Sequence, residues 1–277
     1  MDTRFWGPSG WRLLHLATFT YNPTHQRTHM HNFLESLPFI LPCKYCRASL
    51  TEYYTDHPFA PALKSRVKLI KWMYIIHNKV NAKLRNQGLL TAADPSLKQV
   101  NDYYTTWRTT TTPTQRMQSI WNFLFSVAYC HPRNTVTKPL TNCPAYAINC
   151  KSKNERNRWN TLKSSDRLQY FKQFWQSLPG ILDEKLGWQR ILNTTSPNLS
   201  CRRSTIAWLW RMRCALDTDF KDPYTQVCYT IASHSSNCSS SIKTCRRTQR
   251  SKTRRSKTQR SKTRRSKTRR NKIGNKL

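Results

Sequence analysis

The amino-acid sequence predicts an all-α protein: a helical bundle, then a second, mainly helical domain, then a disordered basic tail. Apolar residues recur at helical spacing through the first hundred residues. Strand signals are scarce, because the chain has no sustained alternation of apolar and polar residues and no Asn-Gly or Asp-Gly turn. The last 32 residues contain 16 Lys and Arg and hardly any apolar side chains, so they are expected to be disordered.

Proline and the spacing of apolar residues predict five helices in the first part of the chain. They are expected at about 9–22, 24–38, 42–54, 61–86 and 96–107. Proline stands at the start of the first and third of these, where its missing N–H costs nothing. The fourth shows the most regular apolar spacing.

Composition divides the chain into three parts. Residues 1–107 are expected to form the first domain and 117–235 the second, with the Thr-rich segment 108–116 as a linker. Residues 246–277 form the tail, in which Arg-Ser-Lys-Thr recurs every five residues. More than half of the formal net charge of +35 lies outside this tail, so the body of the protein is basic as well.

The second domain partly repeats the first. Residues 174–182 (Phe-Trp-Gln-Ser-Leu-Pro-Gly-Ile-Leu) match 33–41 (Phe-Leu-Glu-Ser-Leu-Pro-Phe-Ile-Leu) at six of nine positions. Two shorter matches pair Trp121-x-x-Leu124-Phe125 with Trp11-x-x-Leu14-His15, and Ile206-Ala-Trp208 with Ile70-Lys-Trp72. Because the matches keep their order, we expect a degenerate copy of the first domain, with an insertion of about thirty residues.

Glycine and cysteine content narrow the classes of function. The chain has six glycines and no GxGxxG, GxxxxGK[ST] or GxSxG run. This argues against a glycine-rich phosphate loop and against a Rossmann-type dinucleotide-binding fingerprint. It has ten cysteines, but no secretory signal and no apolar run of the roughly 18 residues that would span a bilayer. Cysteine-rich chains of this kind more often bind metal or carry out redox chemistry than rely on structural disulfides.

Cys43-x-x-Cys46 is the only CxxC run in the chain. A zinc site would need a second pair of ligands at similar spacing, and the other eight cysteines do not form one. A thioredoxin-like site would lie in a βαβ unit, whereas the flanks here are predicted to be helical. The sequence therefore disfavours both kinds of site. At the start of a helix the thiols would face free N–H groups, and Lys44 and Arg47 add positive charge. This setting favours a thiolate and suits thiol–disulfide exchange.

Two polar side chains, His77 and Asn81, share the apolar face of the fourth helix. A core histidine bonded to a backbone carbonyl is the ordinary explanation of such a residue. The alternative is that both side chains bond to a bound heterocycle, because buried polar groups need partners. His15, which lies beside Trp11 on the first helix, presents the same choice.

Three separated motifs form one pattern: Trp6-Gly-Pro-Ser-Gly-Trp11-Arg-Leu-Leu14-His15, Pro42-Cys43-x-x-Cys46, and His77-Asn78-x-Val80-Asn81-x-x-Leu84. The pattern closely resembles the Erv/ALR sulfhydryl oxidases, in the form found in large cytoplasmic DNA viruses. The resemblance covers residues 5–104. It implies a helical bundle that cradles the isoalloxazine of FAD, usually as a homodimer, and an FAD-linked thiol oxidase activity.

The resemblance also implies roles for individual residues. Cys43 would meet the substrate thiol, and Cys46 would pass electrons to the flavin. The flavin would pass them to molecular oxygen, giving hydrogen peroxide. Contacts with FAD are implied for Trp6, Gly7, Trp11, His15, His77, Asn78, Asn81, Leu84 and either Tyr103 or Tyr104. The substrates would be thiol-containing proteins, in the host cytoplasm at viral assembly sites and in the virion, with no membrane attachment.

The remaining cysteines lie outside these motifs. Cys238 and Cys245, in a Ser-rich stretch, form the better candidate for a shuttle pair, and Cys143 and Cys150 share their spacing. The plainer interpretation of both pairs is structural or reduced cysteines. The sequence does not decide whether any of the following pair with one another: Cys130, Cys201, Cys214 and Cys228.

A non-enzymatic alternative also fits the charge of the chain. It would be a basic, nucleic-acid-binding virion protein whose cysteines are structural. The tail at 246–277 has the charge to bind a phosphate backbone, with steep salt dependence and little sequence specificity. A flavin absorption spectrum in the purified protein would separate this alternative from the oxidase.

Overall fold

The computed structural model describes residues 1–134 and 164–236, and within those ranges the regular structure is helical, with no strand. This confirms the predicted all-α class. The α-helices are α1 (Thr3–Thr20), α2 (Pro23–Ile40), α3 (Lys44–Asp56), α4 (Arg66–Asn86), α5 (Leu97–Thr110), α6 (Pro113–Gln118), α7 (Trp121–Tyr129), α8 (Ser164–Ile181), α9 (Trp188–Leu192), α10 (Arg202–Leu216) and α11 (Tyr224–Ser236). Short 3-10 helices lie at Ala60–Lys64, Pro132–Asn134 and Glu184–Leu186.

The first helix begins before Pro8, so the expected start near residue 9 was wrong. Asp2 caps α1 by accepting the backbone N–H of Arg4 at 2.9 Å, and Pro8 then lies inside the helix. An N-cap carboxylate satisfies an N–H group that the first turn leaves without an intrahelical partner. Pro8 is exposed and removes a single intrahelical hydrogen bond, so the helix continues through it.

Pro38 also lies inside a helix, because α2 continues to Ile40 rather than ending at the proline. Proline has no N–H to give to the carbonyl four residues earlier, which here belongs to Leu34. The hydroxyl of Tyr54, on α3, donates to that carbonyl at 3.0 Å. The hydrogen bond that Pro38 cannot make is therefore supplied by a neighbouring helix.

The segment at 108–116 is not the open linker that its threonines suggested. Helix α5 runs to Thr110, and α6 begins at Pro113 after an N-cap at Thr112. Thr112 and Gln115 form a reciprocal capping box, and buried Arg116 donates to the carbonyl of Arg108 at 2.9 Å. Threonine here serves as a helix cap and not as flexible chain.

One apolar core runs through both halves of the described chain. Helix α1 packs against α4, α5 and α7, and α2 packs against α3 and α8. Helix α7 in turn contacts α10 and α11. The helices α1 and α7 approach closely at Gly10, where an added Cβ would lie 3.1 Å from the ring of Phe123. The N–H of Phe123 also donates to Ser9 Oγ at 3.1 Å.

Within the described ranges, no helix combines the length and the apolarity that crossing a bilayer requires. Cys143, Cys150, Cys238, Cys245 and the tail at 246–277 lie outside the described residues, so the shuttle pairs and the nucleic-acid contact stay predictions.

Candidate active site

The dithiol lies at the start of α3, as the sequence predicted. Cys43 is the N-cap residue, with extended backbone, and its Sγ accepts the backbone N–H of Cys46 at 3.3 Å. The carbonyl of Cys43 accepts the N–H of Arg47 at 3.0 Å, so the helix begins directly at the motif. Both cysteines are half-buried thiols in this structure. A thiol thus fills the capping position that Ser, Thr, Asp or Asn usually occupies.

The two thiols differ in acidity because they form a hydrogen bond with each other. The hydrogen bond from the Cys46 thiol lowers the pKa of Cys43 to about 6, and the backbone N–H of Cys46 with the cations Lys83 and Arg47 assist. The same hydrogen bond, with burial, raises the pKa of Cys46. Cys43 is therefore the sulfur that carries the negative charge near neutral pH.

Lys83 beside the dithiol is a residue that the sequence did not reveal. It lies on α4, and its Nζ donates to Ser49 Oγ on α3 at 2.6 Å. One turn earlier, the carbonyl of Lys79 accepts the hydroxyl of Tyr53 at 3.3 Å. These contacts bring α3 against α4. From the sequence alone, two lysines four residues apart on a helix, such as Lys79 and Lys83, usually indicate only a solvated face.

A second group of residues joins α1, α4 and α5, and we call it the histidine cluster: Trp11, His15, His77 and Tyr104. The Trp11 and His77 rings stack with centroids 3.8 Å apart and planes 9° apart. His15 Nε2 and His77 Nδ1 are 3.0 Å apart and share a hydrogen bond. His15 also stacks on Tyr104, with ring centroids at 4.5 Å. The first and third sequence motifs, which are distant along the chain, meet here together with Tyr104.

Burial keeps the two imidazoles of the histidine cluster neutral. It lowers the pKa of His15 to about 3, with a smaller contribution from His77. It lowers the pKa of His77 to about 4, even though Asp94 acts in the opposite direction. A neutral imidazole offers one donor nitrogen and one acceptor nitrogen, so each ring can bond on both sides.

Not every predicted contact residue faces the histidine cluster. Asn81 Nδ2 donates to Asp94 Oδ1 at 2.8 Å, and Arg85 pairs with the same carboxylate at 2.6 Å. Asp94 thus supplies a partner for the Asn81 amide N–H without a bound heterocycle, and the contact of Asn81 with FAD stays a prediction. The face of α4 that carries His77 and Asn81 is also half-buried, not fully buried.

The remaining predicted residues divide by exposure. Tyr103 is 53% exposed and Tyr104 is buried, so only Tyr104 joins the histidine cluster. Asn78 and Leu84 are half-buried on α4, and half-buried Gly7 has open space around it on α1. Trp6 is buried and packs on Phe123, with ring centroids at 5.8 Å.

Two buried polar atoms of the predicted contact residues have no hydrogen-bond partner within the described part of the chain. They are Nε1 of Trp6 and Nδ1 of His15. An unsatisfied buried polar atom costs free energy, so such atoms often indicate a group that the structure does not contain.

Known proteins are similar in sequence to the segment that contains the dithiol and the histidine cluster. Residues 8–105 match the model of the Erv1/Alr family. This segment is similar to the Erv1/Alr family. It is 39% identical over 87 residues to the mitochondrial FAD-linked sulfhydryl oxidase ERV1 of Saccharomyces cerevisiae, covering 30% of this chain and 45% of that protein. It is 34% identical over 85 residues to the probable FAD-linked sulfhydryl oxidase R368 of Acanthamoeba polyphaga mimivirus, covering 29% and 59%.

The chain thus spans about half the length of the curated relatives it matches. No solved structure matches it. The Erv1/Alr segment contains the dithiol and the whole histidine cluster, whereas Trp6 and Gly7 precede it.

Residues beyond the Erv1/Alr segment also contact the dithiol region, which the sequence did not predict. Arg167, on α8, donates from Nε to the carbonyl of Phe39 at 3.0 Å. Cys130 lies after α7 with its Sγ 3.8 Å from the carbonyl of Pro42. Both contacts hold the backbone that leads from α2 into Cys43.

The neutral histidines predict a loss of stability in mild acid. Because burial lowers their pKa, only the unfolded chain takes up protons as the pH falls below about 6.5. Each histidine then contributes a loss of about 1.4 kcal/mol per pH unit, continuing to about pH 4 for His77 and about pH 3 for His15. Urea unfolding at a series of pH values should show this slope reduced in His15→Gln. An unchanged slope would contradict the cluster, and exposed His25→Gln is the control.

The coupled thiols predict an acid-shifted reactivity for Cys43. Its alkylation by iodoacetamide, followed by peptide mass spectrometry, should be half-maximal near pH 6. Replacing Cys46 by Ala removes the donor and should move this midpoint upward, and Lys83→Gln should do so by less. Cys214→Ala on α10 serves as the control. A midpoint that Cys46→Ala does not move would show that the thiols are not bonded to each other.

Proposed function

We propose that this chain is an FAD-linked thiol oxidase that forms disulfide bonds in protein substrates. The observation that carries the proposal is the dithiol at the start of α3, where Cys43 Sγ caps the helix beside Arg47 and Lys83. The names of both relatives, FAD-linked sulfhydryl oxidases, support the same activity. The match of residues 8–105 to the Erv1/Alr family model supports it further.

The dithiol accepts two electrons from a substrate by thiol–disulfide exchange. A substrate thiolate attacks Cys43 in the Cys43–Cys46 disulfide, which forms a mixed disulfide and releases Cys46 as a thiol. A second substrate thiol then attacks the substrate sulfur of the mixed disulfide and releases Cys43. The low pKa of Cys43 makes it a good leaving group in this second step. The substrate leaves oxidised, and both protein sulfurs are reduced.

The histidine cluster and Trp6 suit an aromatic cofactor with several hydrogen-bonding atoms. Trp6 Nε1 can donate and His15 Nδ1 can donate or accept, and both lack a partner among the described residues. Trp6 and His15 would hold FAD through these two atoms, and Trp11, His15, His77 and Tyr104 would hold it through their ring faces. Asn78 and Leu84 lie on α4, close to His77 in sequence. When bound, FAD would take the electron pair of the dithiol and transfer it to molecular oxygen, giving hydrogen peroxide.

The proposal predicts that Cys46→Ser separates flavin binding from turnover. Purified protein should be yellow, with a flavin spectrum that dithiothreitol bleaches in the absence of oxygen. Cys46→Ser should keep the flavin and reduce thiol-dependent oxygen consumption to the background rate, because no dithiol remains to accept electrons. Cys228→Ser on α11 is the matched control and should retain turnover. A colourless, folded protein that oxidises no thiol would contradict the proposal.

We also propose that the tail at 246–277 contacts nucleic acid, since it has 16 Lys and Arg and no acidic residue. A chain ending at residue 245 should bind mixed-sequence duplex DNA more weakly and with a shallower salt dependence, because fewer counterions are released. It should oxidise dithiothreitol at the rate of the full chain. Equal DNA affinity and equal salt dependence for the two chains would exclude a role for the tail.

A further inference from the structure

The two nine-residue segments that match in sequence lie on helices that pack against each other. Helices α2 and α8 each have 18 residues, and each contains its proline two residues before the end. Phe33 and Phe174, the first residues of the two matching segments, stack with ring centroids at 5.3 Å. Gln173 Nε2 likewise donates to the carbonyl of Asn32, its own counterpart 141 residues earlier, at 2.8 Å. Residues that contact their own counterparts lie on a two-fold axis.

Contacts away from this axis occur in pairs, as two-fold symmetry requires. Phe39 and Tyr170 stack with centroids 3.7 Å apart and planes 6° apart. The register of the match assigns Gly180 to Phe39 and His29 to Tyr170. These two counterparts also meet, because an added Cβ at Gly180 would overlap the ring of His29. The contact and its two-fold-related equivalent are both present, as an isologous interface requires.

The other helices follow the same relation. Helix α7 carries the counterpart of the Trp11 motif of α1, and α1 and α7 pack against each other. Helices α4 and α10 begin at counterpart arginines, Arg66 and Arg202, and each packs on the first helix of its own half. Helices α5 and α11 complete each half by contacting the same two neighbours. The two halves therefore share a helix arrangement and are joined through equivalent faces.

We infer that the second half of this chain takes the place of a second subunit. The faces of α1 and α2 that would pair with another copy are covered by α7 and α8 of the same chain. The protein then works as a monomer with internal two-fold pseudo-symmetry, in place of the homodimer that the family resemblance implied. The inference goes beyond the proposed oxidase activity and stands on packing alone.

The second half has no equivalent of the active site within its described residues. The register places Glu184 at the position of Cys43 and Gly187 at that of Cys46. Trp121, the counterpart of Trp11, is fully buried and packs on Trp188, with ring centroids at 5.7 Å. Arg213, the counterpart of His77, lies 6.0 Å from the Trp121 ring and 3.7 Å from that of Phe220. The protein's own side chains fill this region, so we expect one flavin per chain.

Light scattering and sedimentation of the full-length chain test the inference. The expected mass is that of one chain, 32.8 kDa, across the whole accessible range of protein concentration. A mass of two chains at the lowest measurable concentration would overturn the inference. Flavin content adds a second count, one per chain, which rests on the proposed function. The mass does not depend on flavin, so the two proposals fail independently.

The contact between Gly180 and the His29 ring provides a test of the packing of α2 against α8. Gly180→Ala should lower the Tm, because the new methyl group meets the His29 ring. In a His29→Ala background the same substitution should cost much less, because the ring is gone and the two sites are coupled. Equal losses of Tm in both backgrounds would show that α2 and α8 do not meet at this point in solution, and would overturn the two-fold arrangement.

Discussion

The packing of α2 against α8 is the constraint on which the active site depends. The end of α2 is connected to Cys43 by two residues, Leu41 and Pro42, so any shift of α2 moves the N-cap of α3. Stacking of Phe33 on Phe174 and of Phe39 on Tyr170 holds α2 from one side. Aromatic pairs of this kind contribute about 0.5–1.5 kcal/mol each beyond their buried area. The dithiol is thus positioned by helices that carry no redox chemistry.

The site combines two opposite electrostatic environments on neighbouring faces of α4. Towards α3, Lys83 and Arg47 favour the charged form of Cys43. Towards α1, burial of His15 and His77 disfavours their charged forms. A thiolate suits nucleophilic exchange, whereas neutral imidazoles can hydrogen-bond a neutral heterocycle without adding a second buried charge. One helix can serve both purposes because residues six positions apart, such as His77 and Lys83, point in different directions.

Much of this could be predicted from the sequence, and the failures have physical causes. Helix existence and the CxxC at a helix start follow from apolar spacing and from local capping chemistry, which short stretches of chain determine. The helix ends predicted at Pro8 and Pro38 were wrong. The Asp2 carboxylate caps α1 before Pro8, and the Tyr54 hydroxyl, which is distant in sequence, supplies the hydrogen bond that lets α2 continue past Pro38. The bond between His15 and His77 spans 62 residues, and that between Asn81 and Asp94 depends on a loop. Local patterns carry no information about such partners.

The internal repeat shows which positions packing constrains and which positions chemistry constrains. The nine-residue match survives on α2 and α8, where Leu37 and Leu178 are both fully buried in the pairing between the halves. At the positions of His15 and His77 the second half has Phe125 and Arg213, which fill space and stack on rings without forming an imidazole pair. A half that only has to cover α1 and α2 needs the shape of the bundle and not its thiols. In the second half, Arg167 and Cys130 contact Phe39 and Pro42 of the first half, and neither residue stands at a position that carries chemistry in the first half. The second half can therefore lack the CxxC and still keep the helices that support the dithiol.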